Sequence, residues 1–228
     1  MNGMIMPAGW TMSMMWMRMP GQSWAGTAAS FLAMWIAMMV AMMLPSLVPT
    51  LSRHRTAMRR GGRLHATRLT ALVGVGYFAV WAAFGLIVFS FGVALAAIAM
   101  RQPQVARVAP IAAGTVVLFA GLLQRTPWKS RQLALCRESP APAHALPADI
   151  RTAWRHGVCL GLHCCGSCAP LTAVMLVAGL MDLRVMAAIT AAITAERLAP
   201  DGMRVGRAIG VVVIVAGLVL MARAAGAG

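Results

Sequence analysis

Apolar residues in this chain are gathered into long blocks instead of alternating with polar ones. The blocks run from about Ala28 to Leu51, Leu69 to Met100, Val108 to Leu123, His156 to Leu180, Val185 to Leu198 and Val205 to Ala222. A hydrocarbon core needs about 20 apolar residues per helix. The pattern therefore predicts an all-α fold, a polytopic transmembrane bundle of about six helices. Pro45 and Pro49 predict a kinked or broken end to the first helix. The fifth block holds about 14 residues, which is short for a full crossing and leaves a re-entrant segment as the alternative.

The polar stretches between blocks carry the topology. Arg53, Arg55, Arg59, Arg60, Arg63 and Arg68, with His54 and His65, make residues 52–68 one basic loop, and residues 125–155 make a second. The positive-inside tendency places both in the cytoplasm and both termini outside. Arg197, Arg204 and Arg207 fit another cytoplasmic loop. Pro127, Pro140, Pro142 and Pro147 predict a non-helical second loop.

Residues 1–24 contain eight Met, interrupted by Pro7 and Pro20. Without a basic leading region they do not read as a signal peptide. They are expected to form an external or interfacial arm with a short helix over residues 10–19. Residues 25–228 then form a single transmembrane domain.

Composition strengthens this picture. Of 228 residues, 60% are hydrophobic and 11% charged, against about a quarter charged in soluble domains. The net charge of +15 would ordinarily suggest nucleic acid. Here 19 of the 20 basic residues are Arg, no nucleic-acid motif accompanies them, and membrane topology accounts for them, so nucleic acid is not among the expected partners. The lipid bilayer is the first expected partner. No nucleophile elbow, paired-carboxylate site or phosphate loop is present, so no catalytic residue is assigned and the chain points away from an enzyme.

The remaining anomalies are both sulfur. Four of the five Cys fall in the stretch His156-Gly-Val-Cys159-Leu-Gly-Leu-His163-Cys164-Cys165-Gly-Ser-Cys168. Ionisable groups inside a membrane segment are expected to be functional. On a regular helix His156, Cys159 and His163 share one sector, and Cys164, Cys165 and Cys168 cover the next. Because no straight helix points all six inward, Gly161, Gly166 and Pro170 are expected to interrupt it. His163 could then meet Cys168 with Cys164 or Cys165 on one ion. The first block adds Met38 and Met42 on one stripe, following Met34, with Met39 and Met43 alongside. Thiolate and imidazole suit zinc or Cu(I); thioethers favour copper(I), which makes zinc the weaker expectation. Cys136 and Glu196 are accessory candidates.

The chain resembles a bacterial family of predicted metal-binding integral membrane proteins, a domain of unknown function. The likeness covers nearly all of it and rests on WIAMMVAMMLP (Trp35 to Pro45), LLQRTPWKSRQLALC (Leu122 to Cys136), WRHGVCLGLHCCGSC (Trp154 to Cys168), Gly179 to Asp182 and Ala195 to Pro200. The family's motif ends in a run such as CxxCC, whereas here Cys164 and Cys165 are adjacent and Ala169 follows Cys168. The resemblance implies a multi-helix membrane protein with a metal site drawn from His156, His163, Cys164, Cys168, Cys136 and Glu196. The expected function, in the inner (cytoplasmic) membrane of a bacterium, is soft-metal, chiefly copper, binding for metal transfer or transport, with a metal donor or acceptor protein as partner. The alternatives are a membrane thiol-disulfide oxidoreductase, using CxxC-like pairs, and a structural subunit of a membrane complex whose Cys serve packing.

Overall fold

A computed structural model of the protein describes residues 3–5, 11–13, 16–18, 21–57, 63–137, 149–180 and 182–226. Among them are α1 (Trp24–Ala57), α2 (Arg63–Arg101), α3 (Pro103–Leu123), α4 (Pro127–Arg137), α5 (Ile150–Ala178), α6 (Leu183–Leu198) and α7 (Gly202–Gly226). Each expected apolar block is a helix. Five, α1, α2, α3, α5 and α7, are long and apolar enough to cross a membrane; α6, with 16 residues, is shorter.

Three local expectations are corrected. Where a helix over residues 10–19 is expected, the described residues Thr11–Ser13 form a strand: β1 (Gly3–Ile5) pairs antiparallel with β2 (Thr11–Ser13), setting Ile5 opposite Thr11. These β-branched residues suit a pleated pairing. The second basic stretch is not uniformly non-helical, because α4 occupies its first part. Pro127 stands at its start, where a missing N–H costs nothing, and Leu133 and Cys136 give it a buried face. α5 runs unbroken through Gly161, Gly166 and Pro170, since close packing tolerates the one hydrogen bond that Pro170 removes. Arg59, Arg60, Pro140, Pro142, Pro147 and residues 1–2, 6–10, 14–15 and 19–20 of the Met-rich arm lie outside the described residues.

Packing between helices relies on small residues. Gly157 and Gly161 of α5 press against the backbone at Val73 and Tyr77 of α2, and Gly76 meets Trp154 and Val158 in return. Rising numbers on both helices make the pair parallel. α1 runs antiparallel to α2: Trp35 rests on Gly85, its indole N–H donates to the Trp81 carbonyl at 2.9 Å, and Phe31 meets Phe89 with ring centroids 5.2 Å apart. α3 and α7 are likewise antiparallel, with Gly114 beside Gly217 and Gly121 beside Gly210. Such residues let backbones approach closely, the usual means of helix association in lipid.

This contact makes a testable claim. In Gly157→Ala the added Cβ overlaps the Val73 carbonyl oxygen, and overpacking of this kind costs about 1–3 kcal/mol. The detergent-purified variant should melt at a lower temperature. Gly74→Ala on α2, where a Cβ meets nothing within 4 Å, should not.

The main core joins α1, α2, α4, α5 and α6 around Trp35, Tyr77, Trp81, Met39, Met43 and Met175, and it encloses Cys136, Cys164 and Cys168. Trp16 of the arm lies 5.4 Å from Phe31 between ring centroids and packs on Gly92, so this residue seats at the α1 and α2 ends remote from the basic loop.

Candidate metal centre

The straight α5 sorts the sequence candidates by face. Cys164 and Cys168, one helical turn apart, point into the core and are 0% and 2% exposed; their sulfurs approach to 3.8 Å. Cys165 is partly covered and Cys159 is exposed on another side. His163 also turns away, its Nδ1 3.0 Å from Oε1 of Gln132 on α4. His156 sits half-buried two turns earlier. The six-residue cluster thus resolves into a buried thiol pair and four residues outside it, because a helix without a break cannot converge them.

α4 brings the fifth cysteine. Cys136 Sγ lies 3.6 Å from Ser167 Oγ, and that hydroxyl is 3.7 Å from Cys168 Sγ. A hydrogen bond from Cys164 holds the Cys136 thiol below its ordinary pKa, aided by Arg197 and opposed by burial. Tyr77 Oη from α2 meets Cys164 Sγ at 2.8 Å. Arg197 Nη1 from α6 donates to the same sulfur at 3.4 Å and to Ser46 Oγ of α1 at 2.9 Å. Four helices besides α5 therefore surround the pair.

The methionines of α1 belong to the same core. Met38, Met39, Met42 and Met43 are all buried in the core that holds Cys164 and Cys168. They climb α1 from the aromatic contacts of Phe31 and Trp35 toward Ser46, the residue that Arg197 links to Cys164.

Beneath the thiols lies an ion pair. Lys129 of α4 and Glu196 of α6 meet at 2.8 Å with side chains 3% exposed. Lys129 also donates to the Ser167 carbonyl, and Gln124 Nε2 donates to Glu196. Glu196, an accessory candidate in the sequence, is thus engaged beside the thiol pair and not on it.

Arg197, expected in a cytoplasmic loop, is instead 6% exposed among the thiols. Sequence reasoning also passed over Lys129, Tyr77, Ser167 and Gln124. A signal existed for one of them: Lys129 is the single Lys among twenty basic residues.

Among the described residues no group of three or more His, Cys, Asp or Glu side chains is arranged to hold a metal ion. The smaller donor set still has a definite chemistry. Two buried thiols in a core that also holds four Met of α1 are soft donors that suit Cu(I), with the Tyr77 hydroxyl, Arg197 and the Ser167 hydroxyl as the polar groups against them. A family model described as PpoB2, copper chaperone, matches residues 32–220. No curated protein and no solved structure is matched.

Proposed function

The chain belongs to the PpoB2 copper-chaperone family, and on that premise we propose that it carries Cu(I) on the Cys164–Cys168 pair as a multi-pass protein of the bacterial inner membrane. The observation that carries this reading is the 3.8 Å approach of two buried thiols within a methionine-lined core. Loading is an exchange: one Cu(I) enters, two thiols become thiolates, and two protons leave. Thioethers need no deprotonation, so methionines hold Cu(I) more loosely and release it to thiolates.

The external Met-rich arm gathers the ion, and Met38, Met42 and Met43 pass it along α1 to the thiol pair. Cys136, with its thiol adjacent, serves as the third sulfur through which copper leaves to an acceptor protein. Both basic loops face the cytoplasm in this arrangement, as the positive-inside tendency requires.

The relay has its own test. Replacing Met38, Met42 and Met43 together by Leu keeps apolar bulk and removes the thioethers. In detergent, under anaerobic conditions, the variant should load from a chromogenic Cu(I) chelate about tenfold more slowly, a change of about 1.4 kcal/mol in barrier. Its final Cu(I) content should match the wild type. Unchanged loading kinetics would remove the methionines from the path.

The sulfur contact also favours a second reading, a thiol-disulfide oxidoreductase. Cys164 and Cys168 would lose two electrons and two protons to an external acceptor and join as a disulfide. Reversible loss of two thiols in copper-free protein on adding a quinone, with no Cu(I) uptake, would support it over copper carriage.

A further inference from the structure

The buried cluster has an unbalanced charge. Glu196 is the buried carboxylate among the described residues, and Lys129 already neutralises it at 2.8 Å. Arg197 adds a second cation, 6% exposed, whose charge is permanent because a guanidinium is not deprotonated in proteins. Among the described residues two buried cations stand with one buried carboxylate, leaving one positive charge. Arg197 Nη1 spends its hydrogen bonds on the neutral Ser46 hydroxyl and on the Cys164 sulfur. Among the described residues Nη2 has no hydrogen-bond partner. A buried unpaired charge of this kind is costly unless something anionic joins it.

We propose that Arg197 is a positioning and selectivity residue whose charge is balanced by the cargo: a Cu(I) bis-thiolate on Cys164 and Cys168. The charges fit. Cu(I) with two thiolates has a net charge of −1, opposite to Arg197 and in contact with it through Cys164. A divalent ion such as Zn(II) on the same two thiolates is neutral and leaves the guanidinium unmatched. Selection of a monovalent soft cation is then built into the charge of the pocket as well as into its sulfur donors. The proposal rests on the thiol pair being the copper site.

The test measures Cu(I) and Zn(II) affinities by chelator competition, anaerobically and in detergent, for the wild type, Arg197→Met, Arg197→Gln and Arg197→Lys. Removing the charge should weaken Cu(I) by about 100-fold, as expected when one partner of a desolvated charge pair is lost. Zn(II) should change by less than about threefold, since its bis-thiolate has no charge to lose. Arg197→Lys should keep Cu(I) within about tenfold of the wild type. The apo melting temperature of Arg197→Met should hold or rise, because an unpaired buried cation has gone.

Equal Cu(I) affinity in Arg197→Met or Arg197→Gln, or equal losses for both ions, would overturn the charge match while leaving the copper site standing. A wild type that takes up no Cu(I) would overturn both. Should Arg197→Met fail to fold, Arg197→Gln supplies the same comparison with a polar side chain.

Discussion

Cys164→Ser should lose Cu(I) affinity by about a thousandfold, about 4 kcal/mol, and Cys168→Ser should do the same. Each change leaves one thiolate where two shared the ion, and a hydroxyl is a poor donor for so soft a cation. The substitution is nearly isosteric at two positions that are fully or almost fully buried, so packing should survive and the loss should be specific to the metal. Cys159→Ser makes the contrast. Its side chain is exposed on another face of α5, and its Cu(I) affinity should stay with the wild type. Loss in Cys159→Ser equal to that in Cys164→Ser would mean that the helix does not divide the cysteines as described.

The second large effect concerns stability. Glu196→Ala should destabilise the protein by about 3–5 kcal/mol, because it strands the Lys129 ammonium in a buried site. The remaining acceptor, the Ser167 carbonyl, cannot neutralise it. At about 2–4 °C per kcal/mol for a chain of this size, the melting temperature in detergent should fall by about 10 °C. Replacing both partners, as Lys129→Met with Glu196→Leu, should recover most of the loss, since a buried pair often exchanges for apolar residues at little cost. A double variant as unstable as Glu196→Ala would show that Gln124 or the Ser167 carbonyl, and not charge pairing, sets the energy here.

Much of the architecture was legible because it follows from one strong signal, apolar blocks at membrane length. α1, α2, α3, α5, α6 and α7 fall on the six expected blocks, and the short fifth block is the short helix α6. α4 was hidden because its composition is polar and its four flanking and internal prolines read as loop, while its helical face is completed only by contact with α5. The arm failed differently: its Met residues have no strong local preference, and the pairing of Gly3–Ile5 with Thr11–Ser13 is set by partners six to ten residues away.

The site divided along the same line. Cys164, Cys168 and the methionines of α1 stood out in the sequence by their chemistry and helical spacing, and the fold buries them in one core. His163 was grouped with them by proximity along the chain, but a helix without a break turns it toward Gln132. Arg197 was missed since an Arg near a helix end ordinarily lies in solvent. What buries it is α6 packing beside α1 and α5, which brings together residues 46, 164 and 197. No local pattern encodes such a meeting.

The most direct test of the thiol-pair copper site is X-ray absorption at the copper edge of protein loaded anaerobically with one equivalent of Cu(I). The wild type should show Cu(I) with sulfur-only ligation, and a variant with both Cys164 and Cys168 replaced by Ser should keep no stoichiometric copper. Copper ligated mainly by nitrogen or oxygen, or sulfur-bound copper retained at full stoichiometry in the double variant, would contradict the account.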